Sequence, residues 1–137
     1  MKHAAYPGWR SLLFIPVHMD KFVAKAHTRG ADAYILDLED SVPLAEKTLA
    51  RTKVVSAAKQ VSIEGAAALV RINLDEKMAH LDLEASVDAS VSAIVIPKVE
   101  SADQVVSIAE KIDQLEQARG IASGHTLLIA MIESVEA

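Results

Sequence analysis

The sequence predicts an α/β fold built around a parallel β-sheet, and two observations carry that prediction. Short apolar runs alternate along the chain with stretches of helical periodicity, which is the pattern of repeated βα units. The composition is aliphatic, with 51% apolar but only 4% aromatic residues, as is typical of a sheet buried on both faces. We expect the 137 residues to form one domain, residues 1–137.

Five apolar runs are predicted to be the strands of this sheet. Each is too short for a helix, and most are rich in β-branched residues or leucine with little polar alternation. The predicted strands are Ser11–Pro16, Ala33–Leu38, Ala67–Ile72, Ala93–Pro97 and Thr126–Ile132.

The clearest predicted helix follows the fourth strand. Ser101 and Gln104 fit a capping box, in which the serine hydroxyl and the glutamine side chain each bind a backbone amide of the first turn. Gly120 suits the end of this helix, because glycine accepts the left-handed conformation. One apolar stripe at helical spacing lies between them, formed by Val105, Ile108, Ala109, Ile112 and Leu115.

The other three intervening stretches are predicted to be helices with less distinct signals. One runs from about Asp20 to Arg29 and ends at Gly30. A shorter and weaker helix covers His80–Val87. Another begins near Pro43, a residue suited to a first turn, and its expected apolar face is Leu49, Ala50, Val54 and Ala58.

Two architectures fit five strands joined by helices. A five-stranded doubly wound sheet could be complete at this length. A (β/α)8 TIM barrel needs about 250 residues, so only about the first five βα units would be present here. No helix follows the fifth predicted strand, which favours an interrupted barrel. We therefore expect the N-terminal part of a TIM barrel, cut short.

Charge and composition argue against several classes of function. The net charge of −5 and the absence of a Lys/Arg run do not suit a nucleic-acid surface. Without cysteine there is no disulfide framework and no thiol chemistry. No apolar run is long enough to cross a membrane, and the first ten residues lack the apolar core of a signal peptide. A cytoplasmic protein is expected.

Polar residues follow the ends of four successive predicted strands. The carboxyl ends of parallel strands meet at one edge of an α/β sheet, where ligands bind. Singly, Arg71 could be an ion-pair partner of Glu39, and Lys98 could extend into solvent. Taken together, charged residues at the ends of four successive strands are not a pattern that packing alone would favour. The residues are Asp37, Glu39, Asp40, Arg71, Asn73, Lys98, Glu100 and Glu133.

Carboxylates with few histidines suit a hard cation such as Mg2+, which often uses only one or two carboxylates and keeps several waters. The motifs of zinc proteases, serine hydrolases and P-loop proteins are absent. An arginine beside Mg2+ suits a dicarboxylate or keto-acid substrate. The guanidinium binds a carboxylate through two hydrogen bonds, and the metal stabilises an enolate oxygen as a Lewis acid.

An ordered set of segments resembles the opening of the citrate lyase β-subunit-like family, within the HpcH/HpaI aldolase superfamily. The set covers nearly the whole chain, and its order and spacing are more specific than any one motif. It comprises Arg10–Pro16, Lys25–Ala26, Gly30–Asp32, Leu36–Val42, Lys47, Ala50–Arg51, Val70–Asn73, Ile96–Ser101 and Ile132–Ser134.

The resemblance implies a homo-oligomeric TIM barrel, a trimer or hexamer, that uses Mg2+ to cleave or form a carbon–carbon bond in a small-molecule substrate. It implies acyl-CoA substrates of the citryl-CoA or malyl-CoA type. Carried over by position, Glu133 would be a Mg2+ ligand at the substrate, and Arg71 would hold the substrate. Glu39 and Asp40 would order water at the metal.

The resemblance also implies that Phe14 and Lys25 lie near the acyl-CoA. At two points the sequence departs from the pattern of the family. The second metal ligand of the family is an Asp on the strand after the one that carries the Glu, and this sequence does not reach that strand. An Arg that often meets CoA is missing from the segment Pro16–Met19. A CoA-independent keto-acid aldolase and a non-catalytic α/β binding domain therefore stay open as alternatives.

Overall fold

The computed structural model describes residues 5–137, in which five strands alternate with four α-helices. Two short 3-10 helices also occur: His27–Arg29 follows the first α-helix, and Leu44–Glu46 precedes the second. No helix in this part of the chain has the length and apolar character to cross a membrane. The elements in chain order are β1 Leu12–Pro16, α1 Asp20–Ala26, β2 Ala33–Asp37, α2 Lys47–Val61, β3 Ala67–Arg71, α3 Glu76–Ser86, β4 Ala93–Ile96, α4 Ala102–Arg119 and β5 Leu127–Ala130.

The order of the strands decides between the two architectures. All neighbouring strands are parallel, and the order across the sheet is β1-β2-β3-β4-β5. A doubly wound sheet reverses direction at a switch point, whereas consecutive order is the order of a (β/α)8 barrel. The barrel prediction is therefore confirmed for these five strands, and the doubly wound alternative is wrong.

The sheet has a closed outer face and an open inner face. Alternate side chains of each strand point to opposite faces. The outer face packs against the helices in the larger core, which includes Leu36, Val70 and Ile94. The inner face carries a smaller apolar cluster. The side chains that β1 contributes to the inner face, Leu12 and Phe14, are 40% and 42% exposed.

The ends of α4 agree with the prediction. The Ser101 hydroxyl accepts from the Gln104 amide at 3.4 Å, and the Gln104 side chain accepts from the Ser101 amide at 3.3 Å. Gly120 ends the helix with a left-handed φ of +66°. Ile108, Ile112 and Leu115 of the predicted stripe are buried. Local sequence signals were sufficient to place this helix.

Two predictions about the other helices are wrong. Leu49 is 56% exposed, although Ala50, Val54 and Ala58 of the same predicted face are buried. The inward face of α2 follows the four-residue spacing of those three residues, and this spacing turns Leu49 outwards. Helix α3 starts at Glu76 rather than near His80, because the Asp75 carboxylate caps the Met78 amide at 3.1 Å.

A candidate active site at the carboxyl edge of the sheet

The charged strand ends come together as predicted. Asp37 and Arg71 are aligned in the register of β2 and β3. Lys98, which follows β4, contacts the carboxylates of Glu39 and Asp40, and its backbone amide contacts Glu133, which follows β5. Four neighbouring strands thus supply one continuous polar cluster. We call residues 37–41 the acidic turn.

Arg71 is held by Asp37 rather than by Glu39. Its Nε and Nη2 donate to the two Asp37 oxygens at 2.7 and 2.8 Å. The contact from Nη2 to Glu39 Oε2 is much longer, at 3.8 Å. The alternative pairing with Glu39 is therefore only a secondary contact. Asp37 is the partner that orients Arg71, and the sequence pattern assigned it no role. The signal for it was an acidic residue in register with an arginine on the neighbouring strand.

The Asp37 carboxylate is fully occupied by donors. It also accepts from the backbone amides of Glu39 and Ser41, both at 3.0 Å, and from the Ser41 hydroxyl at 2.6 Å. Burial alone would raise the pKa of Asp37, but the hydrogen bonds from Arg71, Ser41 and Glu39 outweigh it and lower the pKa to about 2. The same pairing raises the pKa of Arg71. Both groups are charged, and the guanidinium is fixed in one orientation.

Glu39, Asp40 and Lys98 form the second part of the cluster. The Lys98 ammonium contacts a Glu39 oxygen directly and lies 3.2 Å from Asp40 Oδ1, so it is not simply solvated. Glu39 is only 8% exposed, and its Oε2 is buried without a hydrogen-bond partner. The cluster therefore keeps one buried carboxylate oxygen that accepts no hydrogen bond and has only the longer contact with Arg71.

The other predicted site residues divide into two that lie at the cluster and one that does not. Glu133 is exposed, and its Oε2 accepts from the Lys98 amide at 2.7 Å. The Arg71 guanidinium lies 4.5 Å from the centre of the Phe14 ring, a cation–π contact on the inner face. Lys25 lies in the last turn of α1, and no ion pair of the described residues joins it to the cluster.

A buried polar network supports the acidic turn from behind. The Lys47 ammonium donates to the carbonyl oxygens of Leu38 and Glu39, both at 2.8 Å, and to Asn73 Oδ1 at 2.7 Å. Asn73 Nδ2 donates to the Leu38 carbonyl at 2.9 Å. Two consecutive carbonyl groups of the turn are thus fixed by side chains from α2 and from the end of β3.

Asp82 anchors this network and was not singled out from the sequence. Its carboxylate is fully buried and accepts from Arg51 Nε at 2.6 Å. It also accepts from the backbone amide and the Nδ2 of Asn73, each at 2.7 Å. The only sequence signal for Asp82 was its position three residues after an apolar residue, which places both on the same helical face. Its partners come from other elements, so this local signal could not identify them.

The donors at the cluster fit a magnesium ion. No group of three or more metal-ligating side chains is preformed in residues 5–137. Mg2+ needs only one or two carboxylates, because it keeps several waters. Glu133 is a hard oxygen donor of this kind, and the buried Glu39 Oε2, which accepts no hydrogen bond, adds negative charge to the same cluster. A separate groove between α3 and α4, which includes Leu81 and Lys111, contains none of the cluster residues.

Comparisons with known proteins all indicate the same family. The profile of the HpcH/HpaI aldolase/citrate lyase family matches residues 10–137. Citrate lyase subunit beta of Escherichia coli K12 is 38% identical over 126 residues, which are 91% of this chain and 42% of that protein. A (3S)-malyl-CoA thioesterase of Cereibacter sphaeroides is 37% identical over 116 residues, covering 84% of this chain and 40% of that protein. The chain thus spans less than half the length of these relatives.

Solved structures agree with the fold. The CitE protein of Mycobacterium tuberculosis, in complex with magnesium and pyruvate, is 30% identical with a TM-score of 0.63, and the match covers 91% of this chain and 44% of that one. The magnesium/glyoxylate complex of Haloferax volcanii malate synthase is 18% identical with a TM-score of 0.81, covering 93% and 43%. The second likeness supports the fold alone. The chain belongs to the HpcH/HpaI aldolase/citrate lyase family.

Proposed function

We propose that the complete protein carrying this chain is a Mg2+-dependent carbon–carbon lyase or aldolase, as the family suggests. Its substrate would be a β-hydroxy acyl-CoA, of the citryl-CoA or malyl-CoA type, or a related hydroxy or keto acid. The observation that carries the proposal is an oriented arginine, Arg71, in the same polar cluster as the carboxylates of Glu39 and Glu133, at the ligand-binding edge of the sheet.

Arg71 is the proposed substrate-binding residue. Asp37 occupies its Nε and Nη2, so the pairing fixes the plane of the guanidinium and leaves Nη1 to donate to a ligand. An arginine held in this way binds a carboxylate or carbonyl oxygen with little loss of side-chain entropy. The Phe14 ring below the guanidinium restricts it further. Orientation before binding is the main contribution of such a residue to catalysis.

Glu133 is the proposed metal ligand, with the acidic turn close by. A bound Mg2+ would supply Lewis-acid polarisation of the substrate carbonyl. The Lys98 amide holds Glu133 Oε2 in place, and Glu39 and Asp40 would accept hydrogen bonds from surrounding water. Within the described residues, the ion pairs of the four carboxylates at this edge involve two cations, Arg71 and Lys98, and a third cation, Lys47, lies behind the acidic turn. The four carboxylates are those of Asp37, Glu39, Asp40 and Glu133. The remaining negative charge favours a divalent cation.

The acyl-CoA part of the proposal rests on the relatives. Their names include citrate lyase subunit beta and (3S)-malyl-CoA thioesterase. Phe14 and Lys25 are proposed to lie near the acyl-CoA. Lys25 is exposed in α1 and has no competing ion pair within residues 5–137, so it is free to meet a phosphate. A homo-oligomer is proposed on the same family grounds.

Isothermal titration of Mg2+, with and without oxalate as an enolate mimic, tests the metal site in the complete protein. We expect Mg2+ to bind and oxalate to tighten that binding. Glu133→Ala should abolish both effects, while the control Glu110→Ala, an exposed position in the middle of α4, should change neither. Absence of Mg2+ binding, or equal binding by Glu133→Ala, would contradict the proposed metal site.

A separate assay tests the substrate class. His18 and Met19 stand where an arginine of the family often meets CoA, so the CoA-independent aldolase is the alternative to exclude. We expect turnover of malyl-CoA or citryl-CoA by the complete protein. Turnover of a free 4-hydroxy-2-oxo acid, with neither thioester accepted, would instead select the CoA-independent reaction.

A further inference from the structure

We propose that the Lys98 ammonium is a built-in counter-cation of the acidic turn. It occupies the position between the Glu39 and Asp40 carboxylates that a divalent cation would otherwise take. In this way Lys98 confines divalent-metal binding to Glu133. The inference rests on the proposed function only in assigning the metal to Glu133, and its test below does not depend on that assignment.

The backbone of Lys98 shows that its position is imposed by the surroundings. Lys98 is the only non-glycine residue with positive φ in the described part of the chain, at +51°. This conformation is unfavourable for a residue with a Cβ atom and persists where surrounding structure demands it. In this conformation its amide donates to Glu133, and its side chain reaches Glu39, 59 residues earlier. One residue therefore joins the metal-ligand candidate to the acidic turn.

The surroundings of the ammonium resemble a cation site. Glu39 is 8% exposed, and its Oε2 is buried with no hydrogen-bond partner. The Lys98 ammonium contacts the other oxygen of this carboxylate, Oε1. The cation near Oε2 is Arg71 Nη2, which lies 3.8 Å away and is already committed to Asp37. A buried carboxylate with an unsatisfied oxygen strongly favours a cation. Without the Lys98 ammonium, Glu39 and Asp40 would present two carboxylates to the same small space.

An ordinary surface salt bridge is the competing explanation, since the Lys98 side chain is half exposed. Such a bridge contributes little to stability and requires no special backbone conformation. Its removal would cost some stability and would create no binding site. The counter-cation proposal instead predicts a gain of metal binding when the ammonium is removed, and loss of a salt bridge alone does not produce such a gain.

Isothermal titration with Mg2+ on the complete protein separates the two explanations. Lys98→Met removes the ammonium and keeps the amide that binds Glu133. We expect this variant to bind one more Mg2+ ion per chain, or to bind Mg2+ about tenfold more tightly, because one positive charge has left a site of two carboxylates. Lys98→Gly should show the same gain, and glycine also suits the positive φ if the methionine variant folds poorly.

Three controls define the source of the gain. Lys98→Arg keeps the charge and should bind Mg2+ like the parent. Lys111→Met removes an ammonium that pairs with Glu84 on the helical side of the fold, and it should have no effect. The double variant Lys98→Met with Glu39→Gln should lose the gain, because the buried carboxylate is gone.

The same titration in a Glu133→Ala background separates this inference from the proposed function. There, Lys98→Met should bind Mg2+ that Glu133→Ala alone does not bind. Unchanged or weaker Mg2+ binding by both Lys98→Met and Lys98→Gly, in either background, would overturn the counter-cation role. If the parent and Glu133→Ala bind Mg2+ equally, the metal role of Glu133 fails while the inference about Lys98 is still tested.

Discussion

The buried pair of Asp37 and Arg71 is the residue-scale feature on which the candidate site depends. Asp37 satisfies two guanidinium nitrogens and accepts three further hydrogen bonds from the acidic turn. One carboxylate therefore orients the substrate-binding candidate and also folds the segment that carries Glu39 and Asp40. Its removal should disturb both.

Asp37→Asn should destabilise the fold, because it leaves the buried Arg71 charge without a matching partner. We expect a loss of about 3–5 kcal/mol in the free energy of unfolding, measured by urea titration. Ser41→Ala removes only one neutral donor to the same carboxylate and should cost about 1 kcal/mol. Equal losses of unfolding free energy for Asp37→Asn and Ser41→Ala would show that the ion pair contributes no more stability than one neutral hydrogen bond.

Stability should also fall at acid pH through Asp37. Its folded-state pKa is about 2, below the usual value, so the unfolded chain binds the proton more tightly. The stabilisation is fully present above the unfolded pKa of about 4 and is lost as the pH falls towards the folded value; it amounts to about 2 kcal/mol. Urea titrations between these limits should show the difference between parent and Asp37→Asn shrinking as the pH falls. A constant difference would contradict the assignment.

At the scale of elements, Asp82 links α3 to α2 and to the end of β3. It accepts from Arg51 and twice from Asn73, which in turn holds the Leu38 carbonyl. Through Lys47 the same network fixes the carbonyl of Glu39. The position of the acidic turn is thus set by contacts between elements rather than within the turn alone.

Asp82→Ala should therefore be strongly destabilising, since Arg51 and the Asn73 amide would be left buried and unpaired. We expect a loss of about 3–5 kcal/mol by urea titration. Asp113→Ala, at an exposed position of α4, is the matched control and should stay within about 0.5 kcal/mol of the parent. A small effect at Asp82 would mean that water replaces its carboxylate without penalty.

The outward orientation of Leu49 can be checked against a buried leucine. Leu83 on α3 is 2% exposed, and Leu83→Ala should cost about 2–5 kcal/mol. Leu49→Ala should cost no more than about 0.5 kcal/mol, because its side chain contributes little to the core. Comparable losses in thermal or urea unfolding would mean that Leu49 is buried by another surface.

At the scale of the whole molecule, the sheet is an open arc with two free edges. Within the described residues, β1 pairs only with β2, and β5 pairs only with β4. The inner face next to the β1 edge exposes Leu12 and Phe14. Free edges and exposed apolar side chains favour pairing with another chain.

We therefore expect the isolated 137-residue chain to self-associate, as seen in sedimentation velocity over a range of concentrations. Leu12→Lys places a charge on the exposed inner face and should shift the population towards monomer. The exposed helical position Val106→Lys should not, because its side chain lies on the helical layer rather than on the inner face of the sheet. A monomer at every concentration would show that the free strand edges do not cause self-association.

The sequence by itself determined the elements and the edge at which the chemistry collects. Apolar runs, the capping box at Ser101 and Gly120 are local signals, and they depend on residues only a few positions apart. Because parallel strands share a direction, charge at successive strand ends had to meet at one edge. Family membership followed from the same ordered segments.

Only the tertiary structure decided which charges pair and which faces are buried. Arg71 binds Asp37, 34 residues away, and Lys98 reaches Glu39 across 59 residues. Such partners depend on strand register and on how helices rotate against the sheet, as the exposed Leu49 illustrates. These properties are sums over many contacts between distant segments, so no local pattern in the sequence encodes them.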